Sequence, residues 1–340
     1  MALCDPWRDR AQPWCVPISW LYRLAAVCGQ WPKRLRHSLD PGVPVVSVGN
    51  ITVGGSGKTP LVAALCRAFQ DMGVKRVAVL SRGYGRTAPH NQVVLPGDAV
   101  TVAQVGDEPF LLRKQAPDIL LVLAAGRRQG IRLAAANGAD VIVMDDGFRH
   151  WDIRKLDLVC FDGGRGLGNG RMLPAGPLRM PVSALQRAHA IIITKQRNGA
   201  LSSLAARQGK PVFFLPLHVS GLFAGRQEVF PLSRRVALIS AIALNKHFAE
   251  TAKQAGLQPE FHLAFRDHIR YTPGMAENIA RRARKHAVSA FVTTEKDYYK
   301  LTPYSRLLEK PLYYLKVGFS LADTPLLSFV RDALGVSKTA

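Results

Sequence analysis

The chain has 340 residues, of which 48% are hydrophobic and 21% are charged. This composition excludes a largely disordered or collagen-like protein, and the length is sufficient for about two domains. The 46 basic and 24 acidic residues leave a formal net charge of +22. Such an excess suits a polyanionic ligand, which can be a phosphorylated substrate, an anionic membrane or a nucleic acid.

The first 40 residues differ from the rest because they contain four of the five tryptophans, with six basic residues among and after them. Apolar side chains at helical spacing predict a helix over Ile18–Gln30 that is apolar on nearly all sides. Tryptophan and basic residues favour the interface of an anionic membrane, so we interpret residues 1–40 as a membrane-associating helix. The alternative is a helix packed on the protein's own core.

Neither a membrane span nor a secretory signal is expected. No run of about 18 uninterrupted apolar residues occurs. Asp5 and Asp9 stand where a signal peptide has its basic region. The 5 cysteines include no CxxC pair, which indicates reduced thiols and no disulfide framework.

Short apolar runs alternate with helical patterns from Pro44 onward, which is typical of a parallel sheet with helices on its faces. The predicted strands are Val45–Val48, Val77–Leu80, Ile119–Leu123, Val141–Met144, Leu158–Phe161 and Ile191–Thr194. The predicted helices between them include Pro60–Met72 and Gly126–Asn137.

The pattern changes after Gly209. Val212–Leu217 and Leu222–Phe230 are predicted as a pair of extended segments around a turn at Ser220-Gly221. A second α/β unit then begins. Its predicted strands are Val236–Ile242, Phe261–Phe265, Ala290–Thr294 and Leu312–Val317, with helices at Lys246–Ala255 and Gly274–Ala287.

A glycine-rich motif lies between the strand Val45–Val48 and the helix Pro60–Met72. Its sequence, TVGGSGKT, supplies small residues whose N–H groups surround phosphates, a lysine for the β- and γ-phosphates and a hydroxyl for Mg²⁺. The common pattern begins with glycine, so this is a variant. The predicted nucleotide-binding residues are Thr52, Val53, Gly54, Gly55, Ser56, Gly57, Lys58 and Thr59. We therefore predict a P-loop protein.

Two aspartates, Asp145 and Asp146, follow the predicted strand Val141–Met144. P-loop proteins hold Mg²⁺ with a carboxylate at the C-terminal edge of a neighbouring parallel strand. Without the P-loop, the same pair would indicate a turn. We predict Thr59, Asp145 and Asp146 as the metal ligands.

Two further motifs are weaker. Gly83–Ala88 fits a dinucleotide-binding pattern, but Pro89 follows in place of an apolar helix, so we exclude it. Thr194–Arg197 resembles the [NT]KxD motif that reads guanine in GTPases. Arg197 replaces its carboxylate, so GTP specificity is not predicted.

Three loop features remain. His268 follows a predicted strand, where α/β folds place functional loops. Asp107 opens a predicted helix, so a helix-capping role and a functional role both stay open. The stretch Gly163–Gly176 is either a flexible loop or, with its arginines and asparagine, part of a site for an anionic, hydroxyl-rich ligand.

Seven stretches together resemble one family, the tetraacyldisaccharide 4′-kinases, which phosphorylate a lipid A precursor with ATP. In chain order these are VGNITVGGSGKTP, LSRGYGR, VGDEP, DDGFRH, GNGRMLPAGPLR, FRDH and TTEKD, between about Val45 and Leu301. The joint match is specific, whereas any single stretch except the P-loop is weak.

The resemblance implies an α/β fold with a P-loop NTPase parallel sheet domain and a second, smaller α/β domain. We expect the membrane-associating helix in residues 1–40, the P-loop kinase domain in 41–215, a two-stranded connector in 216–231 and the second domain in 232–340. It also implies catalytic roles. Asp107 matches the position of the catalytic base and His268 that of the histidine that assists it, while Lys58 faces the phosphates.

Two residues depart from the family pattern. Arg149 stands where the family usually has glutamine, and Met180 stands where it usually has glutamate. A thioether cannot replace a carboxylate near a metal. Any role of that glutamate is therefore missing or is taken over by a residue such as Asp146.

The sequence thus predicts a kinase that uses ATP and Mg²⁺ to phosphorylate the 4′-hydroxyl of a tetraacylated glucosamine disaccharide 1-phosphate. The expected location is the cytoplasmic face of a bacterial inner membrane, with no nucleic acid and no obligate protein partner. One alternative is a P-loop NTPase switch or metallochaperone, which requires a base-reading motif and paired metal ligands that we do not find. A nucleic-acid-binding ATPase is suggested by charge alone.

Overall fold

The computed structural model describes residues 15–28, 37–229, 235–267 and 269–336. They divide into two compact units. The first contains the chain up to Val105, Leu112–Pro216 and the stretch from Phe319 onward, and the second contains Gly106–Leu111 and Leu217–Gly318.

The secondary structure alternates between strands and helices. The strands are β1 (Val45–Gly49), β2 (Val77–Ser81), β3 (Gln92–Val94), β4 (Leu120–Leu123), β5 (Val141–Asp145), β6 (Leu156–Asp162), β7 (Ala190–Thr194), β8 (Val212–Leu215), β9 (His218–Ala224), β10 (Gln227–Val229), β11 (Arg235–Ser240), β12 (Gln258–Ala264), β13 (Ala290–Thr294) and β14 (Leu312–Gly318). The helices are α1 (Cys15–Cys28), α2 (Lys58–Asp71), α3 (Val102–Val105), α4 (Asp107–Gln115), α5 (Arg127–Ala136), α6 (Gly199–Arg207), α7 (Asn245–Gln254), α8 (Pro273–Lys285), α9 (Glu295–Leu301), α10 (Ser305–Leu308) and α11 (Pro325–Leu334), with 3₁₀ turns at Val182–Arg187 and Thr302–Tyr304.

The first unit contains an eight-stranded sheet in the order β3-β4-β2-β5-β1-β6-β7-β8. All neighbours are parallel except β3, which is antiparallel to β4. Every residue of β1, β2, β5 and β6 is buried, which explains why apolar residues dominate their sequences. The predicted parallel sheet of the P-loop class is confirmed.

The second unit contains a six-stranded sheet in the order β10-β9-β14-β13-β11-β12. The four strands from β14 to β12 are parallel, whereas β9 and β10 are added antiparallel at one edge. Helix α8 begins where the Thr272 hydroxyl accepts from the Met275 amide and Pro273 occupies the first helical position. The unit is α/β, as expected.

The stretch expected as a connector, 216–231, is arranged differently. From β9 onward its described part belongs to the second sheet, because β9 pairs with β14 and β10 pairs with β9. The Ser220-Gly221 pair lies inside β9, and the turn falls at Gly225 with φ +63°. A Ser-Gly pair is typical of turns, and here the longer strand pairing outweighs that local preference.

The boundary expected for the second domain, 232–340, also differs. The stretch from Phe319 onward belongs to the first unit. Phe319 is buried, and its ring lies 3.1 Å from the position that a Cβ atom on Gly57 would occupy. Phe329 of α11 packs on Phe213 of β8, with ring centroids 5.4 Å apart. Aromatic packing therefore returns this stretch to the first sheet.

Helix α1 begins three residues earlier than expected and is buried on one side only. Ser19 is buried, and its hydroxyl donates to the carbonyl oxygens of Met172 and Leu173. The exposed large apolar side chains of α1 are Ile18, Trp20, Leu21 and Leu24. Among the described residues, no helix combines the length and apolarity needed to cross a membrane.

Three cysteines, Cys15, Cys66 and Cys160, are free and buried. Burial raises the pKa of the Cys66 and Cys160 thiols to about 12. These side chains are inert parts of the core.

Candidate functional site

The glycine-rich motif forms the connection between β1 and α2, as the sequence predicts. β1 ends at Gly49 and α2 begins at Lys58. Gly54 and Gly57 have φ angles of +102° and +81°, a left-handed conformation that favours glycine. At Gly57 a side chain would also crowd the Thr194 methyl group and the Phe319 ring.

Hydrogen bonds from outside fix the shape of this loop. The side-chain amide of Asn50 donates to the Ser56 hydroxyl at 3.0 Å. The Val53 amide donates to the Pro177 carbonyl at 2.8 Å, and the Arg179 amide donates to the Ile51 carbonyl at 2.7 Å. The loop is therefore held against the stretch around residues 177–179, which directly follows the segment Gly163–Gly176.

Asp145 lies beside the P-loop because β5 is the parallel neighbour of β1, with Val48 and Asp145 in register. The carboxylate is buried, and its Oδ2 accepts from the Ser81 hydroxyl at 3.3 Å. The Asp145 carbonyl accepts from the guanidinium of Arg127 at 3.1 Å. Burial lowers the pKa of Arg127, and the nearby carboxylates partly oppose this shift.

Asp146 is held between two cations. Its carboxylate accepts two hydrogen bonds from Arg179, at 2.9 and 3.2 Å, and lies 3.9 Å from the Lys58 Nζ. Burial alone would raise the pKa of this carboxyl, but Lys58 and Arg179 outweigh it and lower the pKa to about 2. The φ angle of +51° at Asp146 turns the chain directly after β5.

The two aspartates therefore differ as candidate metal ligands. Carboxylate and hydroxyl oxygens are donors that Mg²⁺ prefers, and Asp145 with Thr59 supplies this set. The Asp146 carboxylate is engaged by Arg179 on both oxygens. Within the described residues, no group of three or more His, Cys, Asp or Glu side chains forms a metal-binding cluster.

Asp107 lies in the second unit, as the first residue of α4. Its carboxylate accepts from Lys300 at 3.0 Å and lies 3.6 Å from the Nζ of Lys296, which also contacts Asp267 at 3.2 Å. The two lysines are four residues apart and so share one face of α9. His268, predicted to assist Asp107, lies outside the described residues.

The start of α9 is fixed by a buried carboxylate. Asp297 is fully buried and accepts from the Ala241 amide and the Thr294 hydroxyl, both at 2.8 Å. Burial raises the pKa of Asp297, against the effect of these hydrogen bonds. This anchoring sets the position from which Lys296 and Lys300 reach Asp107.

Several of these side chains received no role from the sequence. The contacts of Asn50, Lys296 and Lys300 were not predicted, although the lysines are in or next to the TTEKD stretch and their four-residue spacing was readable. Met180, where the family usually has glutamate, is fully buried in an apolar cluster with Ile51 and Phe148. It is a core residue here.

A cavity of about 400 Å³ lies between α1 and the stretch from Gly170 to Ser183. It is lined by Ser19, Trp20 and Arg23 on the helix and by Arg171, Met172 and Val182 opposite. The guanidinium of Arg23 lies 5.7 Å from the centre of the Trp20 ring. The wall thus combines apolar surface with two cations.

Comparisons with known proteins converge on one group. The family model described as tetraacyldisaccharide-1-P 4′-kinase matches residues 11–335. A tetraacyldisaccharide 4′-kinase of Methylorubrum extorquens is 39% identical over 289 residues, which is 85% of each chain. One of Rhodopseudomonas palustris is 34% identical over 338 residues, covering 96% of this chain and 97% of its own.

A solved structure is similar over nearly the whole chain. The crystal structure of LpxK from Aquifex aeolicus in complex with ATP matches with a TM-score of 0.72 and 28% identity. The match covers 94% of this chain and 98% of the other.

Proposed function

Because the chain belongs to the tetraacyldisaccharide-1-P 4′-kinase family, we propose that it transfers the γ-phosphoryl group of ATP to the 4′-hydroxyl of a tetraacylated glucosamine disaccharide 1-phosphate. This is a step of lipid A biosynthesis. The observation that carries the proposal is the P-loop between β1 and α2, with the Asp145 carboxylate at the end of the neighbouring strand.

The P-loop binds the triphosphate through its N–H groups, and Lys58 moves from Asp146 to the β- and γ-phosphates. Phosphoryl transfer depends mainly on positioning and on neutralising charge, and the net charge of +22 suits both substrates. Arg179 contacts the Asp146 carboxylate and the Asn50 side chain, so it keeps the carboxylate at the mouth of the loop.

Thr59 and Asp145 are the residues proposed to hold Mg²⁺, which when bound neutralises charge on the phosphates. Asp146 was expected as a third ligand. Its contacts favour a different role, in which it positions Lys58 and Arg179 until the nucleotide binds.

Asp107 is proposed to accept the proton of the sugar hydroxyl, with His268 assisting. The Lys300 ammonium donates to Oδ2 of Asp107, which supports an ionised carboxylate of fixed orientation. A carboxylate held in this way can accept a proton without first reorganising.

We also propose that the protein is peripheral on the cytoplasmic face of the inner membrane, with α1 at the lipid surface. Four large apolar side chains of α1 are exposed, and Trp20 and Arg23 have the character of residues at a lipid interface. The adjacent cavity has room for part of an acyl chain.

Flotation on anionic liposomes tests the membrane contact. The full chain should float, whereas a variant with Trp20, Leu21 and Leu24 replaced by serine should float less while keeping its ATP affinity. Equal flotation of the two proteins would show that another surface contacts the membrane.

The reaction itself is tested with labelled ATP and the purified chain. We expect a labelled lipid when the tetraacyl disaccharide 1-phosphate is added, and none with nucleic acid or without an acceptor. ADP release that is stimulated by nucleic acid, or that ignores every acceptor, would favour the ATPase or switch alternatives.

A further inference from the structure

The segment Thr194–Arg197, at the C-terminal end of β7, has no role in the proposed reaction so far. β7 is the second strand from β1, on the side of the sheet away from β5. It belongs to the first unit. Two side chains of this segment reach carbonyl groups of the P-loop.

Thr194 is fully buried, and its hydroxyl lies 3.3 Å from the Ser56 carbonyl oxygen and 3.1 Å from that of Phe161. Its methyl group lies 3.2 Å from the position that a Cβ atom on Gly57 would occupy. Thr194 therefore supports the second half of the loop from below.

Lys195 is the more unusual residue. Its φ angle of +66° is in the left-handed region, which few residues other than glycine adopt. Its ammonium donates to the Gly55 carbonyl at 3.2 Å and forms an ion pair with Asp162, whose side chain is buried. The contact with the Gly55 carbonyl brings the ammonium to the P-loop, and the ion pair with Asp162 at the end of β6 holds it there.

The two contacts orient the peptide planes of the loop. In a trans peptide the C=O of one residue and the N–H of the next point in opposite directions. Holding the carbonyl oxygens of Gly55 and Ser56 therefore directs the N–H groups of Ser56 and Gly57 away from Lys195 and Thr194. In this structure the Ser56 N–H donates to the Gly54 carbonyl at 3.1 Å. P-loops bind phosphate with N–H groups of this kind.

We propose that Lys195 is a positioning residue for the triphosphate: through the Gly55 carbonyl, it holds the P-loop in the shape that binds phosphate. The inference rests on the proposed binding of ATP. On this proposal Lys195 supports binding of the phosphates and does not recognise the nucleotide base. Arg197, at the position of the guanine-reading carboxylate, packs over the Phe214 ring at 4.6 Å.

Titration calorimetry with ATP and with inorganic tripolyphosphate tests this assignment. Lys195→Met keeps the aliphatic stem and removes the ammonium. The substitution should weaken the binding of both ligands by about tenfold, because a hydrogen bond from a charged donor is lost. Lys195→Arg should restore most of the affinity, and Lys75→Met, at an exposed position outside the loop, should have no effect.

Steady-state kinetics supply a second readout. The KM for ATP should rise in Lys195→Met, with the kcat at saturating ATP and the KM for the disaccharide within about threefold of wild type. If Lys195→Met does not fold, Lys195→Asn replaces it, because asparagine tolerates the left-handed backbone.

Two results would overturn the proposal. Loss of ATP affinity with unchanged tripolyphosphate affinity would place Lys195 at the base, and unchanged affinity for both ligands would remove its role in binding. Calorimetry measures the binding of ATP and does not require phosphoryl transfer. Wild-type protein that binds ATP but fails to label the disaccharide would therefore contradict the proposed acceptor and leave this inference standing.

Discussion

The two units each place an aspartate between two cations, but they build this arrangement in opposite ways. Asp146, in the first unit, meets Lys58 of the P-loop and Arg179, which come from two distant loops. Asp107, in the second unit, meets Lys296 and Lys300, which come from one turn of α9. In the first case one carboxylate draws together two cations from separate loops, and in the second two lysines of one helix hold one carboxylate.

The largest effect is expected at the cation of the first site. Lys58→Ala should abolish phosphoryl transfer, because no other side chain of the loop can neutralise the β- and γ-phosphates. The labelled-ATP assay measures this loss, with Lys75→Ala as a lysine control on the same unit. Near-wild-type turnover in Lys58→Ala would refute the P-loop assignment.

At the second site, Asp107→Asn should lower kcat by about 10²–10⁴, the usual range for a positioned base. Its affinity for ATP should stay close to wild type, because Asp107 is assigned to the sugar hydroxyl. Rapid-mix turnover and calorimetry separate the two quantities.

A double variant tests whether His268 acts through Asp107. His268→Ala should lower kcat less than the Asp107 change and should add little to it, since residues that act as one unit are not additive. Fully additive losses would show that the two side chains work independently.

The role of the α9 lysines is tested by Lys300→Met, which removes the donor to Asp107 Oδ2. We expect kcat to fall by about three- to thirtyfold with ATP affinity unchanged, because the carboxylate keeps Lys296 but loses its shortest lysine contact. Lys310→Met, an exposed change in the same unit, serves as the control. A change in ATP affinity alone would assign Lys300 to the nucleotide.

The smallest effect concerns the stability of the Asp146 site. Its pKa of about 2 lies below the ordinary value of 3.8, so the carboxylate stabilises the fold above that value and loses this contribution as the pH falls through 2. The side chain is 37% exposed, so we expect about 1 kcal/mol or less.

Urea unfolding of wild type and Asp146→Asn measures this contribution. The difference between their free energies of unfolding should be constant from about pH 7 to 5 and should shrink between about pH 4 and 2. A difference that grows on acidification would contradict the depressed pKa.

Local patterns in the sequence predicted the first site better than the second. The positions of the glycine-rich loop and of Asp145 were predicted because each needs only a short motif and the rule that parallel strands end at one edge. The contact between Asp107 and Lys300 joins residues 193 positions apart, and no local pattern encodes such a pairing. The one indication of this contact in the sequence was the four-residue spacing of Lys296 and Lys300.

The errors in the fold have the same origin. Ser220-Gly221 has the composition of a turn, but pairing with β14 extends β9 through it. Nothing local marks Phe319 as a partner of Gly57, since a phenylalanine between a strand and a helix fits many positions. Non-local packing decided both arrangements.

Because the stretch from Phe319 onward belongs to the first unit, that unit is not complete when its sheet has been translated. The ribosome makes the P-loop early, but the ring that packs beside Gly57 and the helix that covers Phe213 are made only after all of β9–β14. A nascent chain therefore carries the glycine-rich loop without its Phe319 packing throughout synthesis of the second unit. The unit that the ribosome begins first is therefore the last to be completed.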